Sequence, residues 1–98
     1  MRHEDLIIKL ASWAASTPNV RALYLFGSRA RGNARFDSDI DLAVDLDTGD
    51  GEELAELIQT RASWRHMLSS LTGLTVKDIH LRSDREVSEP VVLVYRRE

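Results

Sequence analysis

Residues 20–46 read VRALYLFGSRARGNARFDSDIDLAVDL, and the fold turns on how this stretch divides. Val20 to Phe26 is a short apolar, partly aromatic run that stops at Gly27, the length and composition of a strand. Residues 28–38 hold Gly, Asn, Asp, two Ser and three Arg. They read as a loop, with one helical turn after Gly27. From Asp39 to Leu46 the pattern alternates strictly. Ile40, Leu42, Val44 and Leu46 point one way, and Asp39, Asp41, Ala43 and Asp45 the other. If the two strands are antiparallel neighbours, the end of the first lies beside the start of the second. Gly27 and Ser28 then meet Asp39 and Asp41.

Working outward, Leu6, Ile7, Leu10, Trp13 and Ala14 follow helical spacing and predict a helix over 3–16, ended by Thr17-Pro18-Asn19. A second helix is predicted over 51–71, with Asp50 as N-cap and Glu53 as its partner. Leu54, Leu57, Ile58, Trp64, Leu68 and Leu71 form its expected buried stripe, and Gly73 its C-terminal cap. Residues 74–82 alternate again. Ile79 and Leu81 share one face; Val76, Asp78 and His80 share the other. In the tail 87–95, Pro90 suits either a short helix or an edge strand, and Val91–Tyr95 favours the strand. The order is α-β-β-α-β plus a tail: an α/β (α+β) fold, a small mixed sheet with helices packed on one face. The face left open carries carboxylates.

Composition narrows the functions. The 98 residues fit one domain, 1–98, with none left to enclose a substrate. Thirteen basic against 16 acidic side chains give a net charge of −3, so no direct nucleic-acid binding is expected. The absence of cysteine excludes disulfides, thiolate metal sites and a Cys nucleophile. No apolar run exceeds the five residues of Val91–Tyr95, so no membrane segment is expected. A soluble cytoplasmic protein is the expectation.

Asp39 and Asp41 project from one face with Cα atoms roughly 6.5–7 Å apart. Two carboxylates there repel unless a cation offsets them. Mg²⁺, or Mn²⁺ in its place, suits such oxygens together with phosphates. Gly27 lets backbone approach a ligand closely, the Ser28 hydroxyl can donate to a phosphate oxygen, and Arg29 or Arg31 can neutralise its charge. Two look-alike motifs fail. Asn33-Ala34 replaces the Lys-Ser/Thr of a P-loop, and Leu42 and Thr48 stand where an EF-hand loop needs Gly and Glu.

The segment Gly27-Ser28-Arg29-Ala30-Arg31-Gly32, followed by Ser38-Asp39-Ile40-Asp41-Leu42, resembles the GS…G…[DS]-x-D signature of the DNA polymerase β-like nucleotidyltransferase superfamily. Within it, the chain is similar to the minimal nucleotidyltransferases often paired with HEPN-domain proteins in prokaryotic toxin–antitoxin systems. The likeness runs from the first helix to the strand around Asp78 and implies a polymerase β palm-like fold. It also implies a third carboxylate on a neighbouring strand, here Asp78, with Lys77 where an apolar residue is commoner.

The implied reaction is two-metal nucleotidyl transfer, with Asp39, Asp41 and Asp78 as catalytic residues and metal ligands, and Gly27, Ser28, Arg29 and Arg31 on the phosphates. The expected substrates are ATP, or another nucleoside triphosphate, as donor of AMP and a hydroxyl on a HEPN-domain partner as acceptor. The alternative is a catalytically silent subunit that binds and neutralises, or scaffolds, that partner. Relatives acting on small molecules such as aminoglycosides carry a further helical domain, for which no residues remain.

Other residues read more plainly. His80 shares the Asp78 face and is expected to be a polar neighbour. His3 and His66 have no role, Trp13 and Trp64 are core, and Asp45 is solvated. Arg35 and Phe36 lie in a loop that could cover the nucleotide.

Overall fold

The computed structural model describes residues 2–35, 37–49 and 51–98. Their elements follow the order α1 (His3–Ala15), β1 (Val20–Phe26), α2 (Ser28–Arg31), β2 (Ile40–Leu46), α3 (Glu53–Thr72), β3 (Val76–Leu81) and β4 (Val92–Arg96). The strands form one mixed sheet in the order β3-β2-β1-β4. β1 is antiparallel to both β2 and β4, while β2 and β3 run parallel across the α3 crossover. This is the mixed α/β fold read from sequence. Asp50, expected as a helix cap, and Phe36, expected in a loop over the nucleotide, lie outside the described residues.

The main core lies between the sheet and the two long helices. Leu6, Leu10, Trp13 and Ala14 of α1 and Leu57, Trp64 and Leu68 of α3 meet Leu23, Leu25, Ile40, Leu42 and Val44. Trp13 and Trp64 pack edge to face with ring centroids 5.4 Å apart, the arrangement aromatic quadrupoles favour. Leu54, Ile58 and Leu71 do not belong to this core: they are 55%, 64% and 42% exposed. The buried line of α3 runs 57, 64, 68, and a helix lying along the sheet edge presents a narrower stripe than sequence spacing suggests. Glu52 occupies the N-cap of α3, so Glu53 is its first helical residue. Gly73 closes the other end in the left-handed conformation at φ 71°, its N–H donating to Ser69 O at 2.9 Å.

Three irregularities among the described residues shift strand parity, one of them the extra Val94 of β4 between Leu23↔Tyr95 and Tyr24↔Leu93. In β1, Arg21 is an extra residue between Val20↔Leu46 and Ala22↔Asp45, so Val20 and Leu23 both face the helices. In β3, Lys77 is extra between Ile40↔Val76 and Asp41↔Asp78. Val76 is therefore buried with Ile79 in the helix-side core, correcting the expectation that it shares the face of Asp78. Without that extra residue, Lys77 rather than Asp78 would stand opposite Asp41.

The second face of the sheet is only partly open. Ala22, Tyr24, Phe26 and Ala43 form a small apolar cluster there, covered by Val87 and Val91 of the connector between β3 and β4. Pro90 precedes β4, and the tail is a strand. No helix among the described residues is long and apolar enough to cross a membrane.

Candidate active site

At the end of β1 the chain makes a turn that only glycine fits well. Gly27 has φ 75° and ψ −153°, and a β carbon there would collide with the Asp41 carboxylate. Directly after it, α2 makes one helical turn, with Ala30 and Arg31 N–H both donating to Gly27 O at 3.1 Å. Phe26 is the register partner of Asp41, so this turn sits at the start of β2, as antiparallel pairing requires. Asp41 is in turn the partner of Asp78 on β3. Their backbones are therefore about 4.8 Å apart across the ladder.

The result is a cleft of about 620 Å³. Phe26, Gly27, Ser28 and Arg31 line one part of it, Ser38, Asp39, Asp41 and Asp78 another, and Lys77, His80, Glu86 and Ser88 the remainder. Six of the seven residues expected from sequence thus meet in one place. Arg29 does not line this cleft. Its guanidinium donates to Ser38 O at 2.7 and 3.2 Å, and Arg35 N–H donates to Ser38 Oγ at 2.8 Å, so both brace the loop leading into β2. Arg29 and Arg35 also border a separate cavity of about 410 Å³ beside His3 and Val92.

Electrostatics single out Asp41. Burial pushes its carboxyl above the ordinary value, and the neighbouring Asp39 charge adds to the rise. Lys77, His80 and Arg31 pull the other way without cancelling it. Asp78 is held differently. Its Oδ1 accepts from Ile79 N–H at 2.8 Å and lies 3.6 Å from Arg61 Nε, while its Oδ2 lies 3.7 Å from His80 Nε2.

His80 ties the cleft to the connector. Its Nδ1 lies 3.4 Å from Asp84 Oδ2, its Nε2 lies 3.8 Å from Glu86 Oε2, and its ring meets Phe26 edge to face. Donor atoms of His80, Asp84 and Glu86 lie within 4.8 Å of one another. Because different ring nitrogens face different carboxylates, the imidazole bridges the acids. Asp84 also accepts Glu86 N–H at 2.9 Å, which, with His80, holds its carboxyl below the usual range. Asp45 is not merely solvated, since it accepts the Tyr24 hydroxyl at 2.8 Å.

Arg61, Glu86 and Ser88 escaped the sequence reading. Glu86 and Ser88 sit in a connector without periodicity. Arg61 did leave a signal: positions 57, 61, 64 and 68 are core-spaced, and a guanidinium on that line needs a counter-charge.

A family model described as Polymerase beta, Nucleotidyltransferase matches residues 8–94. Among solved structures, the chain is similar to a toxin–antitoxin with AMP-PNP, at 28% identity and a TM-score of 0.65, over 99% of this chain and 76% of that one. It is also similar to a candidate nucleotidyltransferase from Sulfolobus solfataricus, at 25% identity and a TM-score of 0.58, over 95% of this chain and 79% of that one. No curated protein matches it.

Proposed function

The chain belongs to the polymerase β nucleotidyltransferase family, and on that premise we propose that it transfers AMP from ATP to a hydroxyl of a partner protein. It would do so as the enzymatic member of a toxin–antitoxin pair whose other member is a HEPN-domain protein. The observation that carries this reading is the convergence of the Gly27–Ser28 turn with Asp39, Asp41 and Asp78 in one cleft. The AMP-PNP of the toxin–antitoxin neighbour supports adenosine as the nucleoside, and that neighbour's pairing supports a protein acceptor. A cytoplasmic location, where ATP is available, follows from the same reading.

The residues fit a divalent cation. Asp39, Asp41 and Asp78 are hard oxygen donors, and burial leaves Asp41 with a charge that its neighbours do not fully offset. These three would hold Mg²⁺, or Mn²⁺ in its place. When bound, the metal neutralises phosphate charge and acidifies the acceptor hydroxyl.

The chain's own groups do the rest. Gly27 lets the triphosphate approach the backbone, and the Ser28 hydroxyl donates to a phosphate oxygen. Arg31 offsets charge on the departing pyrophosphate. The acceptor oxygen bonds to the α-phosphorus as the bond to the bridging oxygen breaks, and Asp78 takes the acceptor proton. An open cleft suits an acceptor delivered by another protein, which would complete the enclosure.

The test is incubation of the chain with its partner, Mg²⁺ and α-labelled ATP, followed by denaturing electrophoresis. Label on the partner that disappears with Asp41→Asn is the expected result. Nucleotide binding without label on any chain would replace this reading by that of a silent binding subunit.

A further inference from the structure

The three cleft carboxylates are not equivalent. Asp39 is exposed and Asp41 half-buried, and the positive groups acting on Asp41 are Lys77, His80 and Arg31 across the cleft. Asp78 meets His80 on its Oδ2, 3.7 Å away, and in addition has a guanidinium at its back. Arg61 reaches it from α3, with Nε 3.6 Å from Oδ1, and that same oxygen already accepts Ile79 N–H. Arg61 Nε is buried and makes no hydrogen bond among the described residues. A buried N–H of this kind depends on a nearby negative charge, because water does not reach it.

We propose that Arg61 is a positioning residue that holds Asp78 back from a divalent cation, giving the cleft one tight cation position at Asp39 and Asp41 and one weak position that needs Asp78. The inference rests on the reading of the cleft given above. Drawing Asp78 toward a cation takes the counter-charge from Arg61, and that loss is subtracted from the affinity of the weaker position. Asp41 feels Lys77, His80 and Arg31 at longer range, but among the described residues no ion pair within 4 Å ties Asp39 or Asp41. The weak position then fills at low cation concentration only when another ligand, the triphosphate or the acceptor, adds its own oxygens, and fills in their absence only at high cation concentration.

The test uses the intact chain without nucleotide and follows free Mn²⁺ by electron paramagnetic resonance as it is titrated. A positive charge beside a ligand repels an entering cation, so removing the guanidinium should tighten the weaker class of Mn²⁺ by about tenfold. Two variants are measured: Arg61→Gln, and Arg61→Met, which keeps the apolar stem packed. Arg61→Lys, which keeps the charge, should stay near the parent. Adding Asp78→Asn to Arg61→Met should erase the gain. If both neutral variants bind Mn²⁺ no more tightly than the parent while Asp41→Asn binds it less, the proposal is overturned and the cleft reading stands. If Asp39→Asn and Asp41→Asn also leave Mn²⁺ binding unchanged, both fall together.

Discussion

Gly27 and Asp41 share a space that has no room for another carbon: a β carbon on Gly27 would overlap Asp41 Oδ2. The phosphate-side turn and the buried carboxylate are thus built against each other, from neighbouring strands whose register pairs Phe26 with Asp41.

Gly27→Ala is therefore expected to act twice. It forces an L side chain into a glycine-only region of φ and ψ and pushes Asp41 aside. The strain should lower stability by about 1–3 kcal/mol, read by urea unfolding. Nucleotide transfer should fall by about 100-fold or more, since small misplacements of reacting groups are that costly. Parental activity in this variant would contradict the geometry.

Asp41 links stability to pH in a direction opposite to most carboxylates. Its folded-state pKa lies above the unfolded value, so the ionised form costs stability at neutral pH. The cost fades as pH falls through the raised value. Without metal, Asp41→Asn should melt above the parent near neutral pH, and the difference should shrink toward about pH 4. Partial exposure keeps the gap to a few degrees, where 1 kcal/mol corresponds to about 4–8 °C for a domain of this size. Mn²⁺ should raise the melting temperature of the parent and not of the variant.

Much of this was legible in the sequence because period-2 alternation survives wherever a strand buries one face. Residues 20–26 and 39–46 gave their strands, their antiparallel pairing and the meeting of Gly27, Ser28, Asp39 and Asp41. Alternation fails where a strand carries an extra residue. The register of β3 cannot be read across Lys77: plain alternation puts Val76 on the face of Asp78, whereas the extra residue turns Val76 into the helix-side core and leaves Asp78 opposite Asp41. Helix periodicity likewise overstates burial when a helix packs on a sheet edge, as Leu54 and Ile58 show. Arg29 has the right neighbours in sequence, but its side chain is used to hold Ser38. The connector carrying Glu86 and Ser88 has no repeat to read, and its place is fixed by Val87 and Val91 packing on Tyr24 and Phe26.

The edge-to-face pair of Trp13 and Trp64 joins the two long helices over the sheet. Trp64→Ala should cost about 3–5 kcal/mol, enough to leave a chain of this size marginally folded, whereas Trp64→Phe should cost much less. Equilibrium urea unfolding followed by far-UV circular dichroism checks both.

Asp84 holds the connector through Glu86 N–H and His80. Its pKa is lowered in the folded chain, first by the Glu86 backbone hydrogen bond, so the stabilisation is present above the unfolded value. It is lost as pH falls through the lowered one. Acidification below about pH 4 should therefore loosen residues 82–91 before the helices, as measured by hydrogen exchange. Asp84→Ala should produce the same local loosening at neutral pH. Exchange in the connector that is unchanged in this variant would show that Val87 and Val91 suffice to hold it.

If the cleft at the meeting of β1, β2 and β3 moves a nucleoside monophosphate onto a protein hydroxyl, as proposed, both products of that transfer can be counted. The most direct test measures pyrophosphate released from ATP and Mg²⁺ alongside the intact mass of the partner protein. Pyrophosphate and added nucleoside monophosphate are expected in equal amounts, both abolished by Asp39→Asn and by Asp41→Asn. A partner that gains the same mass when either aspartate is replaced, or pyrophosphate released with no mass gained by the partner, would contradict the proposed transfer.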